Sequence, residues 1–245
     1  MKKNIPLNER IIFALDFADP RQAASWVEKL EGRIKFFKVG LQLFLAGGWP
    51  VVDQIIKGGN KVMLDLKFFD IPETVHQAVQ QLRNHGVTFA TIHGNDAIIK
   101  AAIEDKAELQ ILAVTVLTSF DEDDMRQMGL NGRVEDMVRI RARRALASGC
   151  DGIVSSPLEA AALRREAGHN FFMVTPGIRP VTKSEIAQDD QRRTASPGQA
   201  ITNGSDYLVI GRPIRNASDP LTLIDSIQQE IAAGLEQEQQ PPTRP

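Results

Sequence analysis

Apolar residues along this chain gather in short runs, and the runs recur. They are IIFALD (11–16), IKFFKVG (34–40), KVMLDLK (61–67), FATIHG (89–94), LQILAVTVLTS (109–119), DGIVSS (151–156), FFMVTPG (171–177) and DYLVIGR (206–212). Between most of them lie longer stretches with helical spacing, such as PRQAASWVEKLEG, IPETVHQAVQQLRNHG and PLEAAALRREAG. In the second of these, Ile71, Val75, Val79 and Leu82 are predicted to share one helix face. All three close on glycine, as helix C-termini often do. Eight strand-like runs alternating with helices predict an α/β protein built as a single (β/α)8 TIM barrel. A doubly wound open sheet is the competitor, but it usually has fewer strands, and no GxGxxG follows the first run. The barrel domain is expected over residues 1–233. The polar, proline-containing GLEQEQQPPTRP (234–245) is expected to be disordered.

Composition narrows the class. The chain has 245 residues, 42% hydrophobic and 24% charged, enough for one sizeable core. A formal net charge of −2 provides no basic field for nucleic acid. The basic stretch RIRARRAL (139–146) has no interleaved aromatics and reads as a solvated helix face. A single cysteine, Cys150, excludes an intrachain disulfide and suits a reducing cytoplasm. The apolar run after the basic N-terminus stops at Asp16, too short for a signal peptide, and no run is long enough to span a bilayer.

Most runs end on a polar residue or glycine: Asp16, Lys38, Lys67, His93, Thr118, Ser155, Thr175 and Arg212. Barrel enzymes carry their chemistry at the C-terminal ends of the strands, although strand ends are commonly polar in any case. The third run is less ordinary. DLKFFD packs Asp65, Lys67 and Asp70 into six residues at the end of a buried strand. Alternation puts Asp65 and Lys67 on one face, where a pair about 4 Å apart at an effective dielectric near 20 attracts by about 4 kcal/mol. Lys38 and Asp70 could extend the pair into an alternating row of acids and lysines. A lysine held between two carboxylates can deliver a proton to a developing carbanion, while a fixed aspartate repels an anionic substrate group. The plainer reading is an ion-pair network that only fixes register.

Two further features suit a phosphate ligand. Gly211 and Arg212 directly follow the eighth run, where barrels often bind phosphate. Residues 176–195 make a connection longer than the 12–15 residues usual for a plain loop, and its DDQRR charges could close over a dianion. None of His76, His85, His93 or His169 has metal-ligand spacing with another His or Cys, and Cys150 reads as packing.

In order, ALDF, FKVG, LDLKFFDIPETV, VTVLTS, TPGIRP, DDQRR and DYLVIGRPI closely resemble the orotidine 5′-phosphate decarboxylase family, from about Ile11 to Ile231. The DxKxxD element is shared with related barrels such as 3-keto-L-gulonate 6-phosphate decarboxylase and hexulose phosphate synthase. DIPxT, TPGIRP, and DQ with VIGR select the orotidylate family. The resemblance implies decarboxylation of OMP to UMP without metal or organic cofactor, by a homodimer with shared active sites. It makes Lys67 the proton donor and sets Asp65 against the substrate carboxylate. Lys38 and Asp16 would reach the ribose, and Thr118 the pyrimidine. Asp70, with Ile71 and Thr74 beside it, would enter the neighbouring subunit's site. Arg179 would contact the ligand. Gln191, chosen over Gln188 because it follows Asp190, would bridge phosphate and pyrimidine. The alternatives are a Mg2+-dependent sugar-phosphate decarboxylase or synthase of the same suprafamily, and a non-catalytic barrel that binds a phosphate ligand.

Overall fold

The computed structural model describes residues 3–180 and 193–237. Every predicted run contains a strand: β1 (Ile11–Ala14), β2 (Phe36–Gly40), β3 (Lys61–Phe68), β4 (Phe89–Ile92), β5 (Gln110–Val114), β6 (Gly152–Val154), β7 (Phe172–Thr175) and β8 (Tyr207–Ile210). Neighbours pair in parallel in chain order, and β8 returns to β1 to close the barrel. Around it lie α1 (Pro20–Lys29), α2 (Leu41–Lys57), α3 (Pro72–Leu82), α4 (Asp96–Ile103), α5 (Glu122–Gln127), α6 (Val134–Ala147), α7 (Ala160–Ala167), α8 (Pro197–Thr202), α9 (Arg212–Arg215) and α10 (Pro220–Gln237). The expected (β/α)8 architecture is therefore present.

Local chemistry sets the helix starts. Asp19 caps α1 by accepting from the Arg21 amide, and Pro20 occupies the first helical position. Pro72 does the same for α3. It also corrects one expectation. Val75, Val79 and Leu82 are buried, but Ile71 precedes the helix and is 67% exposed. Two boundaries also shift. The fifth run leaves the barrel after Val114, so Val116–Ser119 form a loop over its mouth. The last helix continues through Gln237, four residues into the stretch expected to be a tail, and Gly234 is buried in it. A Cβ at Gly234 would stand 3.0 Å from the Gly198 carbonyl oxygen, so close packing of α10 on α8 requires glycine there. Residues 238–245 lie outside the described residues.

Two apolar layers hold the barrel. The outward side chains of the strands, such as Ile11, Phe13, Val62 and Leu64, pack with the helices. The inward ones form a separate core of Ile12, Phe36, Met63, Phe89, Leu112, Val114, Val154, Val174 and Tyr207. Within it Phe36, Phe89, Phe172 and Tyr207 meet with ring centroids 5.1 to 5.9 Å apart. A fully buried Phe contributes about 1.5–3 kcal/mol relative to an exposed one, so this plug is a substantial part of the barrel's stability. Below it Asp206 accepts from Lys3, Arg164 and the Met173 amide. Above it, on β2 and β3, the inward position two residues further along the strand turns polar: Phe36 gives way to Lys38, and Met63 to Asp65. The plug therefore confines the ligand-accessible space to the C-terminal end.

Candidate active site

That space is a cavity of about 290 Å³. Asp16, Lys38, Asp65, Lys67, Thr118, Arg179, Gly211 and Arg212 all line it. The structure thus brings eight of the predicted site residues to one place. The Lys38 Nζ lies 2.9 Å from Asp16 Oδ1 and 3.7 Å from Asp65 Oδ2, and the Lys67 Nζ donates to Asp65 Oδ1 at 2.8 Å. The row therefore runs Asp16–Lys38–Asp65–Lys67, with charges alternating. Burial by itself would lower the Lys38 pKa, but Asp65 and Asp16 outweigh it and leave that ammonium raised above its ordinary value. Burial likewise acts to raise the Asp65 carboxyl, and Lys38, Lys67 and the hydrogen bonds from Lys67 and Thr91 override it and hold the group below the ordinary range.

Two details differ from the expected row. Within one chain the lysine flanked by two carboxylates is Lys38, not Lys67. Asp70 is exposed, lies outside the cavity and accepts from its neighbour's amide, Ile71 N, at 2.7 Å. Ile71 and Thr74 are exposed beside it at the start of α3, also outside the cavity. The reason is local: Pro72 begins α3 there and turns the chain away from the mouth. Strict strand alternation does not bring Asp65 and Lys67 together either. Lys67 has φ +50, and the pairing of β3 with β4 shifts register between Leu64 and Phe68.

Residues that sequence reasoning passed over hold the row in place. Thr91, fully buried on β4, donates to Asp65 Oδ1 at 2.8 Å and accepts from the Lys67 amide at 3.0 Å. Arg215 donates to the Asp16 carbonyl at 2.8 Å. At the far rim Arg193 pairs with Glu159 and donates to the Leu117 carbonyl at 2.9 Å. Glu159 also accepts from Ser155 Oγ at 3.2 Å. Arg193, from the DDQRR stretch expected to meet a dianion, is thus engaged with a carboxylate. The two ends of the long connection are joined: Arg179 N donates to the Ala195 carbonyl at 2.9 Å. Gln188 and Gln191 lie outside the described residues. His93 is half-buried near Lys67, and burial, Arg141 and Lys67 together lower its pKa. Two of the RIRARRAL arginines are salt-bridged, Arg139 to Glu166 and Arg144 to Asp96, and Arg141 donates to the Thr115 carbonyl. Among the described residues no group of three His, Cys, Asp or Glu side chains could hold a metal ion, and no helix is long and apolar enough to cross a membrane.

A family model described as "Orotidine 5′-phosphate decarboxylase / HUMPS family" matches residues 9–227. The chain belongs to this family. An orotidine 5′-phosphate decarboxylase of Methylococcus capsulatus is 50% identical over 230 residues, 94% of each chain. One of Bradyrhizobium diazoefficiens is 44% identical over 229 residues, covering 93% of this chain and 95% of the relative. Among solved structures, an orotidine 5′-phosphate decarboxylase from Lactobacillus acidophilus superposes with a TM-score of 0.80 at 35% identity, covering 91% of this chain and 99% of the other. The resemblance carried by DLKFFDIPETV and VIGR therefore extends over nearly the whole chain. It also sets the charged row within an orotidine 5′-phosphate decarboxylase / HUMPS barrel.

Proposed function

We propose that this protein decarboxylates orotidine 5′-phosphate to UMP and carbon dioxide in pyrimidine biosynthesis, with Lys67 as the proton donor. The observation that carries the reading is the Asp16–Lys38–Asp65–Lys67 row lining a cavity whose rim carries Arg179, Gly211 and Arg212. The close relatives bear that activity in their names.

The chemistry follows from the row. Breaking the bond from C6 to the carboxylate leaves its electron pair on C6, where resonance gives little help. Enzymatic accelerations reach the order of 10^17, about 23 kcal/mol. No single pair supplies that. The Asp65 carboxylate faces the substrate carboxylate and disfavours that charge in the ground state. The Lys67 ammonium, bonded to Asp65, stabilises the pair developing on C6 and transfers a proton to it, forming the C6–H bond of UMP. Lys67 is left as an amine and regains its proton from solvent. Lys38 and Asp16 hold the ribose, and Thr118 meets the pyrimidine. Arg179, Arg212 and the Gly211 backbone bind the phosphate, whose remote binding energy orders the site around the reacting end. Gln191 is proposed to bridge phosphate and pyrimidine.

The active unit is a homodimer. Asp70 and Thr74 stand exposed near Ile71 in the chain, next to Phe69, which with Leu117 and Met128 lines an exposed apolar pocket suited to cover by a second copy. Asp70 of the partner subunit then supplies the second carboxylate near Lys67. A biosynthetic enzyme with one buried cysteine fits the cytoplasm.

The test is to follow OMP absorbance with purified protein in excess EDTA. Turnover to UMP supports the reading. No turnover of OMP, with Mg2+-dependent turnover of a keto-sugar phosphate in a parallel assay, points to the sugar-phosphate branch of the family. Binding of UMP without turnover points to a binding barrel.

A further inference from the structure

The β3–β4 pairing is broken where the proposed chemistry resides. Leu64 pairs with Ala90 and Phe68 with Ile92, so Asp65, Leu66 and Lys67 face a single β4 residue, Thr91. Three residues opposite one cannot maintain a regular ladder. Lys67, within the bulge, has φ +50, a left-handed conformation that L side chains seldom adopt and that persists only where neighbours enforce it. The Lys67 amide has lost its place in the strand ladder and donates instead to the Thr91 hydroxyl at 3.0 Å. The regular backbone pattern resumes immediately afterwards, where His93 N donates to the Phe68 carbonyl at 2.9 Å.

The same hydroxyl donates its proton to Asp65 Oδ1 at 2.8 Å. That oxygen also accepts from Lys67 Nζ, while Oδ2 faces Lys38. Thr91 therefore touches the Asp65–Lys67 pair twice, at the carboxylate of one and the backbone of the other. It is fully buried and does not line the cavity. We infer that Thr91 is a positioning residue, whose hydroxyl replaces the missing rung of the ladder and orients the Asp65 carboxylate and the Lys67 ammonium toward the reacting carbon. This rests on the decarboxylase reading for its reaction, though not for its geometry.

A hydroxyl is needed because one atom must both accept an amide hydrogen and donate to a carboxylate. Valine has the same shape and can do neither. Serine can do both. The experiment compares Thr91→Val and Thr91→Ser with the wild type by steady-state OMP kinetics, UMP affinity and a crystal structure of each variant. The valine variant is expected to lose at least tenfold in kcat with UMP affinity within twofold of wild type. The serine variant is expected to retain at least a third of wild-type kcat. In the valine crystal structure the Lys67 backbone is expected to leave the left-handed region and its Nζ to part from Asp65 Oδ1. Should the valine variant not fold, Thr91→Ala replaces it in the same comparison with serine. Wild-type kcat in the valine variant, or an unchanged Lys67 and Asp65 arrangement in its structure, would overturn the inference. A wild-type enzyme inert toward OMP would remove the decarboxylase reading alone, and the crystal structures would still decide the positioning role.

Discussion

Replacing Asp65 by Asn probes the charged row with the least change of shape. The amide can still accept from Thr91, but two lysines then face each other without a carboxylate between them. With the wild-type contacts at 2.8 and 3.7 Å, an effective dielectric near 20 makes the lost attractions about 6 and 4.5 kcal/mol. These are gross terms. Lys67 is 32% exposed and regains water, and removing one partner of a buried pair typically costs about 3–5 kcal/mol net. For a chain of this size that lowers Tm by roughly 10 °C. The measurement is urea unfolding of both proteins at several pH values. The sign follows from Asp65, whose carboxyl is held below its ordinary value of 3.8 in the fold. Such a group stabilises the native state above the unfolded-state pKa, and that stabilisation disappears as pH falls through the folded-state pKa. The gap between wild type and variant should therefore be full at pH 7 and shrink below about pH 3.8. A loss under about 1 kcal/mol at pH 7, or a gap that stays constant on acidification, would refute the claim that the row is electrostatically coupled.

Further predictions concern the rim and the packing. Arg212→Ala should lower kcat/KM for OMP roughly 10- to 100-fold, the loss of about 1.5–3 kcal/mol of charge-assisted hydrogen bonding; unchanged kcat/KM would remove Arg212 from the phosphate site. Glu159→Ala strands the guanidinium of Arg193, which is 16% exposed, and should cost about 3–5 kcal/mol in urea unfolding, while a loss below about 1 kcal/mol would mean the pair fastens nothing. Cys150 is buried, and that burial pushes its thiol up to about 12, so iodoacetamide at pH 8 should leave the native protein unlabelled and label it fully in urea. Rapid native labelling would show that strand β6 opens.

The barrel was legible because each strand is covered on both sides and so reads as an apolar run. The core of the site was legible for the complementary reason. Lys38 and Asp65 are charges inside such runs, where charge without a partner would be too costly. What escaped depended on neighbours distant in sequence. Thr91 reads as an ordinary β-branched strand residue, and only the register break opposite it reveals its two hydrogen bonds. Arg193 and Glu159 lie 34 residues apart, and no local pattern joins them. Ile71 obeys the helical spacing of its face but precedes Pro72, so the periodicity extended one residue beyond the helix. By spacing alone Asp70 reads as an extension of the row, but it lies exposed outside the cavity, where Pro72 starts α3 beside it.

The central claim is that the Lys67 ammonium gives its proton to C6. It is tested most directly by Lys67→Ala in single-turnover OMP assays, run beside UMP binding by calorimetry. The account predicts a folded variant that still binds UMP measurably and forms no detectable UMP from OMP. Turnover at the wild-type rate in that variant would contradict it.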